Sequence, residues 1–308
     1  MERMSNVTEF ILLGLTQNPG MQKLLILFKF SFAVFLIVYL VTLAGNLLIM
    51  TTISARTTLG SPVYFFLSHL SFTDSCCSSS MTPKMLVDSL TVRKTISFRG
   101  CMTQVLAEHL FGAAEIILLM AMAYNPYVAI CKPLHYTTIM SQQVCSLLVG
   151  GAWAGGFVHA AIQILFTVWL PFCGRNVIDH SMCDLNPLLK LVCIDTHTLG
   201  LFVTANSGFI CLLNFLLLMV SYVVILCSLR IYSSWGRCKV FSICVSHITV
   251  FFFFCTLHIC IYASSDHFST DKAVAVFYTV ITPMLNPLVY TLRNAEVKNA
   301  MKKLWIKR

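Results

Sequence analysis

Two carboxylates sit where a charge is hardest to keep. Asp74 stands about twelve residues into one long apolar stretch and Glu115 about fourteen into the next. If both stretches are helices running in opposite directions, a rise of about 1.5 Å per residue brings the two acids to the same mid-depth. Such a pair can hold a small cation with amide or hydroxyl help, or it can share a proton and close a hydrogen-bond set. Asn46 and Asn286 fall at a similar or slightly more inward depth. Glu108 and His109 lie about 10 Å below the outer surface by the same rise. Glu108, Gly112 and Glu115 follow i, i+4, i+7 spacing, so they share one helical face that points into a bundle, with room left at Gly112. That face reads as the wall of a ligand cavity; the alternative is that Glu108 snorkels to the outer headgroups or meets a loop cation. His258 reads as packing or interfacial placement, and His180 with Cys183 makes a metal pair only if the thiol is not in a disulfide. No nucleophile and base occur together, and no glycine-rich phosphate loop is present. An enzyme has nothing to stand on.

The elements that position these residues follow from composition. The chain has 308 residues, 57% hydrophobic and 11% charged, with mean hydropathy +0.81. That balance excludes a water-soluble domain. Seven stretches, at about 25–50, 62–86, 101–124, 143–166, 198–229, 240–263 and 273–292, carry few or no ionised side chains. The last four contain no Asp, Glu, Lys or Arg, as expected when each charge at the bilayer centre costs about 2.5–3.5 kcal/mol. Each is too long for a membrane strand and lacks two-residue alternation. The expectation is an all-α, integral membrane bundle of seven helices over 25–292, with an outer tail at 1–24 and a cytoplasmic tail at 293–308 that holds a short amphipathic helix. Residues 1–23 show no apolar core and no small-residue cleavage site of a removable signal, so the first span reads as a signal anchor.

Orientation rests on three signs. With the C-terminus inside, 11 of the 21 Lys and Arg lie on inner segments, while a single acid, Glu296, lies there against eight outside. Asn6-Val7-Thr8 is a glycosylation sequon on the N-terminal tail. Cys173, Cys183 and Cys193 fall on the same side, in the loop between spans four and five. Both features require the oxidising side. The basic inner fringe suits anionic lipid and an acidic protein partner rather than nucleic acid.

Of 14 cysteines, ten sit in spans or on the inner face. Cys101 and the three loop cysteines face outward, and four cysteines allow three pairings. A bridge from Cys101, at the head of span three, would fold the long loop over the mouth of the bundle. In span four, Gly151, Gly155 and Gly156 around Trp153 have the small-residue spacing that lets helices approach closely. A transporter or channel is the reading from another class, but it wants a half-length repeat and none is evident.

The runs Leu43-Ala44-Gly45-Asn46, SPVYFFLSHLSFTDSCCSSSMTPKML, MAYNPYVAICKPLHY, KVFSICVSH and PMLNPLVYTLRN resemble the motifs of olfactory receptors, which are rhodopsin-like G-protein-coupled receptors. The resemblance runs in order from about Thr8 to Trp305, and AEHLFGAAEIILL with DTHTLGLFVTANSGFICLLNF is most similar to the family 4 subgroup. It implies Cys101–Cys183 and Cys173–Cys193 disulfides, glycosylation at Asn6 and a plasma-membrane location. It implies no required cofactor, with an allosteric sodium ion at Asp74 and Glu115. Odorant contacts are implied for Glu108, His109, Gly112, Ala113, Asn206, Ile210, Tyr262 and Tyr278. Tyr222, Lys239, His247, Asn286, Pro287 and Tyr290 are implied to serve switching and coupling to a stimulatory, olfactory-type G protein that raises cyclic AMP.

One departure is large. Where the family has Asp-Arg-Tyr at the inner end of span three, this chain has Asn125-Pro126-Tyr127. The arginine that would hold the resting state and meet the G protein is gone. Proline removes an N–H and collides with the carbonyl four residues back, at Met122, so span three is expected to kink or end early there, and coupling is expected to weaken. A receptor that binds odorant but barely signals is therefore the runner-up. In span six, Cys255 stands where the family commonly has an aromatic residue, which loosens the element that senses ligand.

Overall fold

A computed structural model describes residues 7–14, 25–55, 61–91, 93–172, 176–195, 197–228, 277–286, 297 and 299–301. Five long helices dominate: α1 (Leu25–Ala55), α2 (Pro62–Leu90), α3 (Phe98–Cys131), α4 (Gln142–Val168) and α5 (His197–Ser228). A π-helical turn, Phe277–Ile281, continues as α-helix to 286. The expected sixth span lies outside the described residues. Pro62 opens α2 at a position where its missing N–H costs nothing. Ser97 and Ser141 cap α3 and α4 by accepting the Gly100 and Val144 N–H groups at 3.1 and 3.4 Å.

Four of these helices, from Phe32, Phe98, Gln142 and His197 onward, are long and apolar enough to cross a membrane. α2 falls below that threshold because it carries a polar face, and the bundle buries that face: Ser71, Thr73, Asp74, Ser78, Thr82 and Asp88 are all buried. Hydroxyls in this setting bond back to their own helix, as in Thr42 to the Val38 carbonyl (2.8 Å), Thr52 to Leu48 (2.6 Å) and Thr73 to His69 (3.0 Å). Large apolar side chains point outward instead: Leu147, Leu165 and Val220 are 74%, 61% and 62% exposed, the surface that lipid covers.

α3 is the central strut, packed against α2, α4 and α5. Close approach to α4 depends on Gly156, where an added Cβ would lie 2.6 Å from the Leu110 carbonyl oxygen. Gly155 is nearly as tight, with Ile117 Cδ1 at 2.8 Å, but a Cβ on Gly151 would meet nothing within 4 Å, so Gly151 plays no part in this contact. Trp153 holds the same seam, its ring 5.9 Å from Phe72 and 6.1 Å from Phe111.

Of the two expectations for Pro126, an early end is overturned. α3 does not end there; it runs on to Cys131, and the Lys132 N–H still bonds the Val128 carbonyl at 3.0 Å. One lost backbone bond in a 34-residue helix is outweighed by its packed faces.

The outer end carries a feature that helical periodicity does not signal. Strands β1 (Glu9–Leu12), β2 (Thr95–Ser97) and β3 (Val177–Ile178) form a sheet in the order β2-β1-β3, with β1 antiparallel to β2 and parallel to β3. The amino-terminal segment is thus the central strand of the lid. Its alternation buries Phe10 and Leu12 and turns Glu9 outward. Phe10 packs edge-on to Phe172 at 5.9 Å and joins a second apolar core with Ile96, Val105, Ile178, Leu185 and Leu188. Gly14 ends the strand at φ +75°, and its N–H bonds the His180 carbonyl at 3.1 Å.

Candidate functional site

The mid-depth acids meet through one amide. Asn286, five residues past the π-helical turn, is 2% exposed and aims its Nδ2 at Asp74 from one side and Glu115 from the other. It donates to Asp74 Oδ1 and Oδ2 at 3.1 and 3.2 Å and to Glu115 Oε1 at 2.6 Å. Asp74 is fully buried and Glu115 is 3% exposed. Two carboxylates buried around one neutral amide nitrogen need either a proton or a cation to share. Asn46, at the same depth, does not join them: its Nδ2 bonds the Thr42 carbonyl at 3.0 Å and the Pro283 carbonyl at 3.1 Å, tying α1 to the last described helix.

The upper half of α3 presents two faces. Gln104 and Glu108, one turn apart, look toward the lid: Gln104 Oε1 accepts the Cys183 N–H at 3.4 Å. Glu108 is 8% exposed, and its Oε2 is buried without a hydrogen-bond partner. His109 looks toward α4 and α5, its ring 5.4 Å from that of His159, which in turn meets Asn206 Nδ2 at 3.2 Å. Gln163, one turn beyond His159, donates to Ser207 at 3.3 Å. Ala113 is buried, Ile210 packs at the core's edge, and Gly112 lies on α3 one turn below Glu108. The structure therefore links His109 to Asn206 through His159.

The roof is the loop after α4. A disulfide joins Cys101 to Cys183, Cα to Cα 5.4 Å, so the loop is pinned on the head of α3 and the Cys183 thiol is no metal ligand. Cys193 is also disulfide-bonded; Cys173 lies outside the described residues. Asp184 caps the short helix Leu185–Leu189, its Oδ1 accepting the Leu185 N–H at 2.5 Å. Burial pushes its carboxyl up to about 6, against the opposite pull of that N–H. His180 Nδ1 accepts the Met182 N–H at 3.4 Å.

At the inner end, Asn125 is 5% exposed and its Oδ1 accepts the Tyr136 hydroxyl at 2.9 Å. Tyr127 stacks on Tyr124 at 5.7 Å, and Tyr222 is buried in the membrane core. Of Tyr278 only the backbone is described. Asn6, Lys239, His247, Cys255, His258, Tyr262, Pro287 and Tyr290 lie outside the described residues.

Sequence reasoning passed over Gln104, His159, Gln163 and Asp184. A signal existed for two of them: His159 and Gln163 are the i, i+4 polar pair in an otherwise apolar span. Asp184 is simply the neighbour of a lid cysteine, and Gln104 sits one turn above Glu108.

The described residues thus form a bundle of apolar helices with a polar interior, closed above by a disulfide-pinned lid. The olfactory receptor family matches residues 35–308 of the chain. Human olfactory receptor 4A47 is 54% identical over 306 residues, covering 99% of this chain and 97% of that one. Human olfactory receptor 4S2 is 55% identical over 99% of this chain and 96% of its own, and mouse olfactory receptor 4B13 is 54% identical over 99% and 98%. The chain belongs to the olfactory receptor family, seven-helix G-protein-coupled receptors that cross the plasma membrane several times.

Proposed function

We propose that this chain binds a small volatile odorant in the upper half of the bundle, against Glu108, His109, Gly112, Ala113, Asn206 and Ile210 with Tyr262 and Tyr278, and signals through a stimulatory, olfactory-type G protein to raise cyclic AMP. The observation that carries the reading is the polar upper face of α3 lying directly beneath a lid held by Cys101–Cys183. A ligand there touches helices whose inner ends meet the partner. It shifts the equilibrium only by its difference in affinity between the resting and signalling arrangements.

Weak coupling is the second reading, and Asn125-Pro126-Tyr127 favours it. Asn125 keeps the bond to Tyr136 that steadies the inner loop, yet no cation follows it to hold or release. Cyclic AMP measured in cells with an olfactory G protein, across a broad odorant panel, tests both readings. Responses from the unmodified chain support the receptor as it stands. Responses only after Asn125→Asp with Pro126→Arg support a binder uncoupled at α3, and silence from both at matched surface expression overturns the signalling reading.

Asp74 and Glu115 also fit a sodium ion. Carboxylate oxygens are the hard donors an alkali cation prefers. The ion would supply the charge that two adjacent carboxylates lack, and Asn286 would keep both oriented. Heating the purified receptor in sodium chloride against choline chloride tests this: stabilisation by sodium that Asp74→Asn abolishes supports it, and equal stability in both salts overturns it.

A further inference from the structure

The outer acidic residues make a second pair, and this one is open. Gln104 Oε1 holds the Cys183 N–H, so the residue after the disulfide, Asp184, lies over the Glu108 face of α3. Side chains on a helix lean toward its N-terminus, which for α3 is outward, so the Glu108 carboxylate rises from its own turn toward the lid. Both carboxylates are buried beneath the disulfide-pinned part of the lid. Asp184 is 3% exposed and spends Oδ1 on its cap; Glu108 Oε2 is buried with nothing to bond. Of the salt bridges among the described residues, Lys84 pairs with Asp88 and Arg93 with Glu9, and neither reaches this spot. His109 is turned away toward His159. Of the residues near these two in sequence, Val105 and Leu185 are fully buried and Met182 is 1% exposed, beside the buried hydroxyl of Ser181.

We propose that Glu108 and Asp184 form a roof subsite for an organic cation, and that the ligand class of this receptor is the small protonated primary alkylamine. The inference rests on the odorant-receptor reading and narrows it. An ammonium group brings three N–H donors and a full positive charge, an alcohol brings one neutral donor, and a ketone brings none. Only the first brings a positive charge to an acceptor that is both buried and orphaned near a second carboxylate, and charge-assisted bonds are about twice as strong as neutral ones. The alkyl chain then lies along apolar side chains, so affinity depends on both ends of the ligand.

The test compares hexylamine, hexan-1-ol and hexan-2-one on the full-length receptor. Binding is read as thermal stabilisation of purified protein, and signalling as cyclic AMP in the unmodified and the Asn125→Asp, Pro126→Arg backgrounds. Hexylamine should act at roughly tenfold lower concentration than hexan-1-ol, the ratio that one strong charge-assisted bond gives. Glu108→Gln should erase that preference, leaving hexylamine no more potent than hexan-1-ol on the same variant, Glu108→Asp should restore part of it, and Asp184→Asn should reduce it by about threefold, as for a single weakened bond. Equal potency of amine and alcohol, or a preference that persists in Glu108→Gln, overturns the subsite. If Glu108→Gln fails to reach the surface, an unchanged preference in Asp184→Asn does the same. Binding of the alcohol or ketone but not the amine overturns the subsite and leaves the receptor reading intact. Amine binding without cyclic AMP in either background supports the subsite and overturns the coupling part of that reading. No stabilisation by any of the three overturns the subsite and removes support from odorant binding as well.

Discussion

The molecule buries two pairs of carboxylates, and they are finished differently. At mid-depth, Asn286 reaches both Asp74 and Glu115, so each acid has a donor and three helices are tied at one point. Under the lid, Asp184 has only the cap of its own short helix, and Glu108 keeps an orphan oxygen. The same chemistry thus serves two ends: a closed set fixes the bundle, and an open one waits for a donor from outside. A buried polar group left unsatisfied costs about 1–3 kcal/mol, and such a cost is tolerated where a ligand removes it.

The comparison can be broken at its support. Replacing Cys101 and Cys183 together by Ser removes a bridge across 82 residues, and stability should fall by about 4 kcal/mol. The receptor that remains should lose any amine preference but keep its response to sodium, because only the outer pair depends on the lid; thermal unfolding in both salts reads this. Retention of the amine preference without the bridge would show that the lid does not assemble the outer pair.

Asn286→Ala should cost about 3 kcal/mol, since hydrogen bonds to charged groups contribute about 1.5–3 kcal/mol each and two acids lose their shared donor. Glu108→Gln should cost nothing, because the orphan oxygen has no bond to lose. Melting temperatures of the two variants side by side test the difference between a closed and an open pair; equal losses would erase it.

Acidity sharpens the comparison further. The Asp184 carboxyl rises from an ordinary value near 3.8 to about 6 on folding, so the folded lid holds its proton longer than the unfolded chain. The resulting stability is complete below about 4 and is lost as pH rises to about 6, with a slope of at most about 1.4 kcal/mol per unit. Melting curves between pH 4 and 7 should show that decline, and Asp184→Asn should flatten it. Conversely, a cationic ligand should bind more tightly above pH 6, where the carboxylate is ionised.

The smallest effect is expected far from both pairs. Tyr136→Phe removes one hydrogen bond to Asn125, about 1 kcal/mol, and should leave amine and sodium responses unchanged. A shift in either would show that the inner loop communicates with the buried acids in the absence of the missing arginine.

Much of this was legible beforehand, for reasons that differ from place to place. Long uncharged runs betray membrane helices because the bilayer penalises every ion in them, and the i, i+4, i+7 spacing of Glu108, Gly112 and Glu115 faces inward because a helix repeats every 3.6 residues. The same rules let α3 end at Pro126, where it runs on, since local propensity weighs one bond while α3 is held by contacts along its whole length. They also gave Gly151 the role that Gly155 and Gly156 hold, because spacing marks small residues without showing which of them meets α3.

Composition and spacing were enough for the class of fold, the shared depth of Asp74 and Glu115, and the cysteines able to pin a lid. Only the tertiary structure decided which partners those residues took. Asn286 rather than Asn46 joins the acids, across separations of 212 and 171 residues; β1 inserts between two remote loops; and Cys183 comes to rest against Gln104. Periodicity fixes the face a side chain occupies and its height along the helix. Which neighbour stands opposite depends on how the helices rotate and lean as their buried faces pack, and that is settled by all the contacts at once.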